Sequence, residues 1–441
     1  MELGIRNAIP VLDQRARMCF MLIFGLVWTF AWTSDALSQE PEQEEQEEEE
    51  QEDEESWPHP HFYWSHGLHI VGVAGFDLSL GGDAQNDSAV YANTDSVEDV
   101  IGTPVDDGLE WRRARAYISG RRGTTLEFLF RYDFAVNNPP NLKDAYIGFK
   151  RLPLINKVPF LRTLRIFAGR FRAPLSIDGS MSSNDTPFME RALISAFLPS
   201  RNTGFLLHGA SINLKRRIRW SLGYLQPESD FKDVQNKDNL GFSARFATAF
   251  PLRNDGLFHV GVDFWHRNVD STIQITSRPE SHIAPEFVDT GRVTASQMRL
   301  LVIEAAWRHG SFTFQSEAVG TRLSSESTGD PMFYAFYAQG SYFLTGETRP
   351  YRAEYGTFGR PRPKRLFRDG QGGKGALELA VRFSRIDLDD KGVSGGTLND
   401  VSVGFNWYPV HRCRLMFNFI LANRSDAEPV AIFQARLQVA F

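Results

Sequence analysis

Cysteine is almost absent from this sequence: two occur in 441 residues, Cys19 and Cys413. Cys19 lies in an apolar stretch near the N-terminus, and Cys413 alone cannot make an intramolecular disulfide, so a disulfide-stapled fold is excluded. Arg412 and Arg414 flank Cys413, but no His–Asp pair is suggested nearby, and the thiol reads as structural. No run of eighteen apolar residues occurs and mean hydropathy is -0.31, which excludes a spanning helix. There is no H-E-x-x-H string. Gly370–Gly375 (GQGGKG) is not a phosphate-cradling loop, because its spacing is wrong and neither Ser nor Thr follows Lys374. His59 and His61 flank Pro60 without a carboxylate or thiolate at ligand spacing, so no metal site is expected there.

What is present begins with Arg6, Arg15 and Arg17 ahead of Met18–Trp32, fifteen apolar residues followed by small residues at Ala36 and Ser38. The pattern predicts a secretory signal peptide over 1–38. Residues 39–55 then hold twelve acidic residues and no basic one. Such a run cannot bury apolar surface, and an acidic disordered arm with its linker is expected over 39–62. The whole chain has 48 Lys and Arg against 54 Asp and Glu, and three of each fall in residues 1–38. Residues 56–441 therefore carry 45 against 39, a net +6 that favours anionic partners. No nucleic acid is expected among them.

From residue 63 to 441, short strand follows short strand. Leu126, Phe128, Phe130, Tyr132 and Phe134 alternate with Thr125, Glu127, Leu129, Arg131 and Asp133, the period-2 pattern of a strand between unlike environments. Alternation alone fits a soluble sandwich or a membrane barrel with a watery lumen. The number and spacing of strands decide between them. About sixteen are expected, the first near 67–80 and the second near 109–120, in a series too long for a typical sandwich. Tight turns at Arg122-Gly123, His309-Gly310 and Pro409-Val410 contrast with long connections at 81–108, 268–296 and 345–374. Short turns on one side and long loops on the other predict an all-β, antiparallel transmembrane β-barrel. In the last strand Ala431, Phe433, Ala435, Leu437, Val439 and Phe441 share one face, while Gln434, Arg436 and Gln438 share the other. Glu378, Arg382, Ser402 and Asn406 are likewise expected to face the lumen.

Several strings resemble the phosphate-selective porins O and P: Arg112–Tyr117 (RRARAY), Asp144–Gly148 (DAYIG), Ser182–Leu193 (SSNDTPFMERAL), Ala196–Gly204 (AFLPSRNTG) and Lys374–Asp387 (KGALELAVRFSRID). The resemblance implies a sixteen-stranded barrel, a homotrimer, in the outer membrane of a diderm bacterium, surrounded by outer-membrane lipid and passing phosphate or other small anions without a cofactor. It also implies a constriction containing Arg112 and Arg113, with His69 where other members have an arginine and Lys143 where they have a carboxylate. A ring of cations at a narrow point selects anions because guanidinium forks bind oxyanions in pairs.

Strict alternation puts Arg113 and Arg115 on one face and Arg112 on the other, so both members of the pair reach the pore only across a bulge. Arg131, Arg170 and Arg172 are further lumen candidates, and Arg360, Arg362, Lys364, Arg365 and Arg368 crowd one loop at a mouth. The segment 173–202 is the candidate constriction loop, with Thr186 capping a short helix that holds Pro187 in its first turn and Glu190 near its positive end. The expectation is a porin with an anion-favouring channel and no enzymatic turnover. A structural anchor barrel and a barrel hydrolase stand as the alternatives.

Overall fold

The computed structural model describes residues 61–65, 67–73, 75–135, 141–150, 163–212, 216–226 and 240–441. The expected signal peptide and residues 39–60 of the expected arm and linker, His59 included, lie outside the described residues, while residues 61 and 62 of that linker belong to the strand His61–Trp64. Sixteen antiparallel strands form the wall. They are β1 (Phe76–Ala92), β2 (Gly108–Arg122), β3 (Leu126–Asp133), β4 (Leu142–Lys150), β5 (Arg165–Arg172), β6 (Arg201–Ile212), β7 (Arg217–Gln226) and β8 (Gly241–Pro251). These continue as β9 (Leu257–Asn268), β10 (Gln297–His309), β11 (Phe312–Ser324), β12 (Met332–Phe343), β13 (Ala376–Asp390), β14 (Val393–Val410), β15 (Cys413–Arg424) and β16 (Val430–Ala440). Each strand pairs with the next, and β16 pairs with Asp83–Ala92 of β1 to close the cylinder. Closure gives each of these sixteen wall strands a hydrogen-bonded neighbour on both sides among the described residues, the condition for crossing hydrocarbon with strands.

The lower part of β1, Phe76–Leu80, pairs instead with an added strand, Leu68–Val73, which pairs in turn with His61–Trp64. The single strand expected near 67–80 is thus two strands, and residues 81–92, expected as loop, belong to the wall. The outward positions that open this stretch, Ala84, Asn86 and Ser88, are too small and polar to show an apolar period ahead of Val90. At the seam, the Phe441 amide and carbonyl bond the Gly82 carbonyl and amide at 2.9 and 2.8 Å. A Cβ on Gly82 would stand 2.5 Å from the Arg115 carbonyl oxygen and 2.7 Å from the Phe441 ring.

Elsewhere the two faces separate as the alternation predicts. Phe130, Ile147, Phe246, Ile303, Val403 and Phe419 are exposed on the outer surface, while Glu378, Arg382, Ser402, Asn406, Gln434 and Arg436 are buried inside. The lumen is not polar throughout. Inward Phe333, Ile386, Leu398, Ile420 and Ile432 form an apolar cluster with Phe197, Ile273 and Phe287 from two inserted loops. These residues hold the loops in the barrel by burying apolar area, worth roughly 25 cal/mol per Å².

Loop direction follows from strand parity. Connections after even-numbered strands share one end, the turn end, with Gly123–Thr125 and Gly310-Ser311, and connections after odd-numbered strands share the loop end. Residues 344–375 follow β12, so this long connection lies at the turn end, against the expectation that the long loops share one side. The basic run Arg360–Arg368 goes with it. The β14–β15 turn falls at His411-Arg412, two residues later than expected, because the strand register shifts between Trp407 and Val410.

Segment 173–200 folds into the lumen. Its one-turn helix α1 (Ile177–Ser180) directs the Ile177 and Asp178 amides at the Glu317 carboxylate, 2.7 and 3.0 Å away on β11, and the Ser176 amide at Asp263 on β9. The expected helix after Thr186 does not form. Wall side chains take its backbone acceptors: Arg414 binds the Thr186 carbonyl at 2.6 Å, Asn406 that of Pro187 at 2.8 Å, Arg436 that of Met189 at 2.6 Å and Arg382 that of Glu190 at 3.2 Å.

Two outcomes are expected. Gly82→Val blocks the seam, costing about 1–3 kcal/mol or more, and lowers the fraction of refolded protein that resists unfolding in sodium dodecyl sulfate at room temperature. Glu317→Ala removes the acceptor of two loop amides, at about 1–3 kcal/mol for the buried donors left behind. In planar bilayers it turns steady single-channel current into flickering current as segment 173–200 loosens.

Candidate functional site

Two bulges re-aim cations into the lumen. In β2, Gln85 of β1 pairs with Arg113 and its neighbour Asn86 with Trp111, so Arg112 is the extra residue. Arg112 and Arg113 are consequently both buried inside, while Leu109 and Trp111 on one side of the bulge stay exposed outside. In β4, Arg131 pairs with Asp144 and Tyr132 with Leu142, which leaves Lys143 extra and turns it inward beside Asp144.

The Arg112 guanidinium forms a two-point pair with the Glu190 carboxylate, Nε to Oε1 at 2.8 Å and Nη2 to Oε2 at 3.0 Å. Arg436 on β16 reaches the same Oε1 at 2.8 Å while holding Asp87 through two bonds of 2.6 Å. Arg113 donates to Gln85, and neither Arg113 Nε nor Arg112 Nη1 has a partner although both atoms are buried. Arg191, the next residue of the Met-Glu-Arg triplet, uses its guanidinium on the Asp178 and Met181 carbonyls at 2.9 and 2.6 Å. Burial opposes the charge on Glu190, but Arg112, Arg113 and Arg436 hold its carboxyl well below the usual carboxylate range.

Arg112 and Glu190 line a cavity of about 460 Å³ between the wall, segment 173–200 and segment 269–296, with Arg172, Arg191, Arg278 and His282 on its surface. Among the described residues, Arg172 and Arg191 make no ion pair; Arg172 has one long contact, 3.5 Å to the Gly179 carbonyl. Such forks, half-buried and short of carboxylates, are suited to an oxyanion with several oxygens.

The other expected site residues are placed differently. Arg115 is paired with Asp133 at 2.8 Å, and Arg131 with Asp144 at 3.0 Å. Arg170 is buried and donates to the Leu142 carbonyl at 2.8 Å, away from the cavity surface. His69 stands on the added strand, hydrogen-bonded to Ser79 at 2.9 Å and stacked on Tyr63. Ser79 precedes Gln85 by six residues, about 20 Å along a strand, so His69 does not join the arginine pair. Sequence reasoning missed Arg191, Arg278 and Arg436 as site residues. Arg191 was the legible one, since it completes the triplet in a loop expected inside the pore. Gly392–Gly396 (GVSGG) has the spacing of a nucleophile elbow, but Ser394 is exposed next to a strand-to-strand turn, without the strand-to-helix geometry the elbow needs.

The sequence family described as phosphate-selective porin O and P matches residues 81–441. Porin O of Pseudomonas aeruginosa is 24% identical over 409 residues, covering 83% of this chain and 89% of that protein. An uncharacterized protein of Caulobacter vibrioides is 25% identical over 346 residues, 76% of this chain and 67% of that one. Among solved structures, a loop-deletion mutant of the Vibrio cholerae outer membrane protein OmpT superposes with a TM-score of 0.53 at 7% identity, covering 83% of this chain and 100% of that one. The anion-selective porin from Comamonas acidovorans gives 0.51 at 12% identity, with the same coverage of both chains. These two likenesses are of fold. The closed sixteen-stranded wall, the loop drawn into its lumen and the family match over 81–441 lead to one conclusion: the chain belongs to the phosphate-selective porin O and P family and is a porin of the outer membrane.

Proposed function

We propose that the protein is a passive channel for phosphate and similar small oxyanions, with the arginines around the lumen cavity as its selective element. The observation that supports this reading is the bulge at Arg112, which brings two adjacent guanidinium groups to one side of the wall. Arg112, Arg172 and Arg191 on the cavity surface, with Arg113 next to Arg112, form the anion-binding group; Arg115 and Arg131, paired with Asp133 and Asp144, shape its surroundings. The description of the family as phosphate-selective agrees with phosphate as the substrate. No turnover enters this reading: anions move down their gradient, and selectivity comes from charge and fork geometry.

The mature protein in this reading is a homotrimer made after removal of residues 1–38, with an acidic arm ahead of the barrel. An OmpT structure described as a trimer form, with a TM-score of 0.50, shares the fold.

Reversal potentials of the purified protein in a planar bilayer under a potassium chloride gradient test the proposal. Chloride-favouring potentials are expected, with current blocked by added phosphate. Replacing Arg112 and Arg113 by Ala raises the half-blocking phosphate concentration about tenfold or more, since hydrogen bonds to charged groups contribute roughly 1.5–3 kcal/mol each. Cation preference, or block untouched by these replacements, would overturn it.

A further inference from the structure

Glu190 sits where a permeating anion would bind. Its carboxylate receives both arms of the Arg112 fork and a third donor from Arg436, the arrangement by which guanidinium groups hold phosphate oxygens. The backbone behind it is fixed, because Arg436 holds the Met189 carbonyl and Arg382 that of Glu190. The side chain itself keeps 16% exposure and borders the cavity. Arg112 retains one buried, unpartnered donor, Nη1, beside this pair.

We infer that Glu190 is a tethered competitor and a specificity-determining residue of the channel: its carboxylate occupies the Arg112 fork until an oxyanion displaces it. The inference rests on the reading of the arginine cluster as the anion site. A side chain held on the same scaffold competes at an effective concentration of millimolar order or above. Chloride, a single spherical acceptor, cannot span the two parallel donors and displaces the carboxylate poorly. Phosphate offers oxygens at the carboxylate spacing and additional charge, so it meets both arms. Arg436, already bonded to Oε1, retains the released carboxylate, and no bare charge is created in the lumen. Discrimination thus comes from what an incoming ion must replace as much as from what it contacts.

The test is single-channel current in potassium chloride with inorganic phosphate titrated against the wild type, Glu190→Gln, Glu190→Asp and Arg112→Ala. Glu190→Gln is expected to lower the half-blocking phosphate concentration about tenfold, the scale of losing one competing charge-assisted pair, and to raise chloride conductance. Glu190→Asp is one methylene too short to keep both arms of the fork, so it shifts both readings the same way by a smaller factor and serves if the Gln variant does not fold. Half-block unchanged or raised in the variant measured sinks the inference. If Arg112→Ala weakens block in the same series, that failure belongs to Glu190 alone. If Arg112→Ala also leaves block unchanged, the arginine site itself is wrong.

Discussion

The structure depends on wall arginines and an asparagine that donate to the backbone of segment 173–200. Arg382, Arg414, Arg436 and Asn406 bind four carbonyls in the stretch Thr186–Glu190. A peptide segment inside a barrel must find partners for its polar groups or lose several kcal/mol. Here the wall supplies them, and the segment has no need of helix. Glu317 and Asp263 do the same for the amides at its start. The loop is therefore part of the inner surface, and the cavity beside it has fixed walls.

The same bonds sort the arginines of the lumen into two sets. Those neutralised by carboxylates, such as Arg245 with Glu304, Arg349 with Glu378 and Arg382 with Glu280, build and brace the interior. Breaking such a buried pair leaves an uncompensated charge, so they are poor candidates for a ligand that comes and goes; Arg112 is the exception, because its partner Glu190 borders the cavity and is also held by Arg436. Arg113, Arg172 and Arg191 have no carboxylate contact among the described residues and differ in kind. Counting lumen arginines thus overstates the binding site, and asking what each already touches narrows it.

Much of the wall was legible because side-chain period and environment are tied: Phe130 outward with Arg131 inward, and Phe433 outward with Gln434 inward, follow from pleat geometry alone. What was not legible depended on partners distant in sequence. The bulge that admits Arg112 was foreseeable only as a condition, since its cause is the register between β1 and β2. Nothing local to Arg115 or Arg131 announces Asp133 and Asp144. The capping signal at Thr186-Pro187 was real, but tertiary hydrogen bonds from β13 to β16 overrode it. The side taken by residues 344–375 needed only a correct count of strands, and the displaced first strand leaves that parity unchanged; the assumption that long loops share a side hid it.

That placement makes the tube electrically graded. The loops inserted from the loop end are acidic on balance: 173–200 has three acidic residues and one basic, and 269–296 has four and two. The segment 344–368, entering from the turn end, has seven basic residues and two acidic. Short turns mark the periplasmic side in such barrels. An anion inside the tube therefore meets more positive surroundings near the turn end, whichever way it crosses. At equal salt and zero voltage a passive channel carries no net current, so this gradation sets where an anion dwells within the tube, nearer the turn end, and not which way it travels.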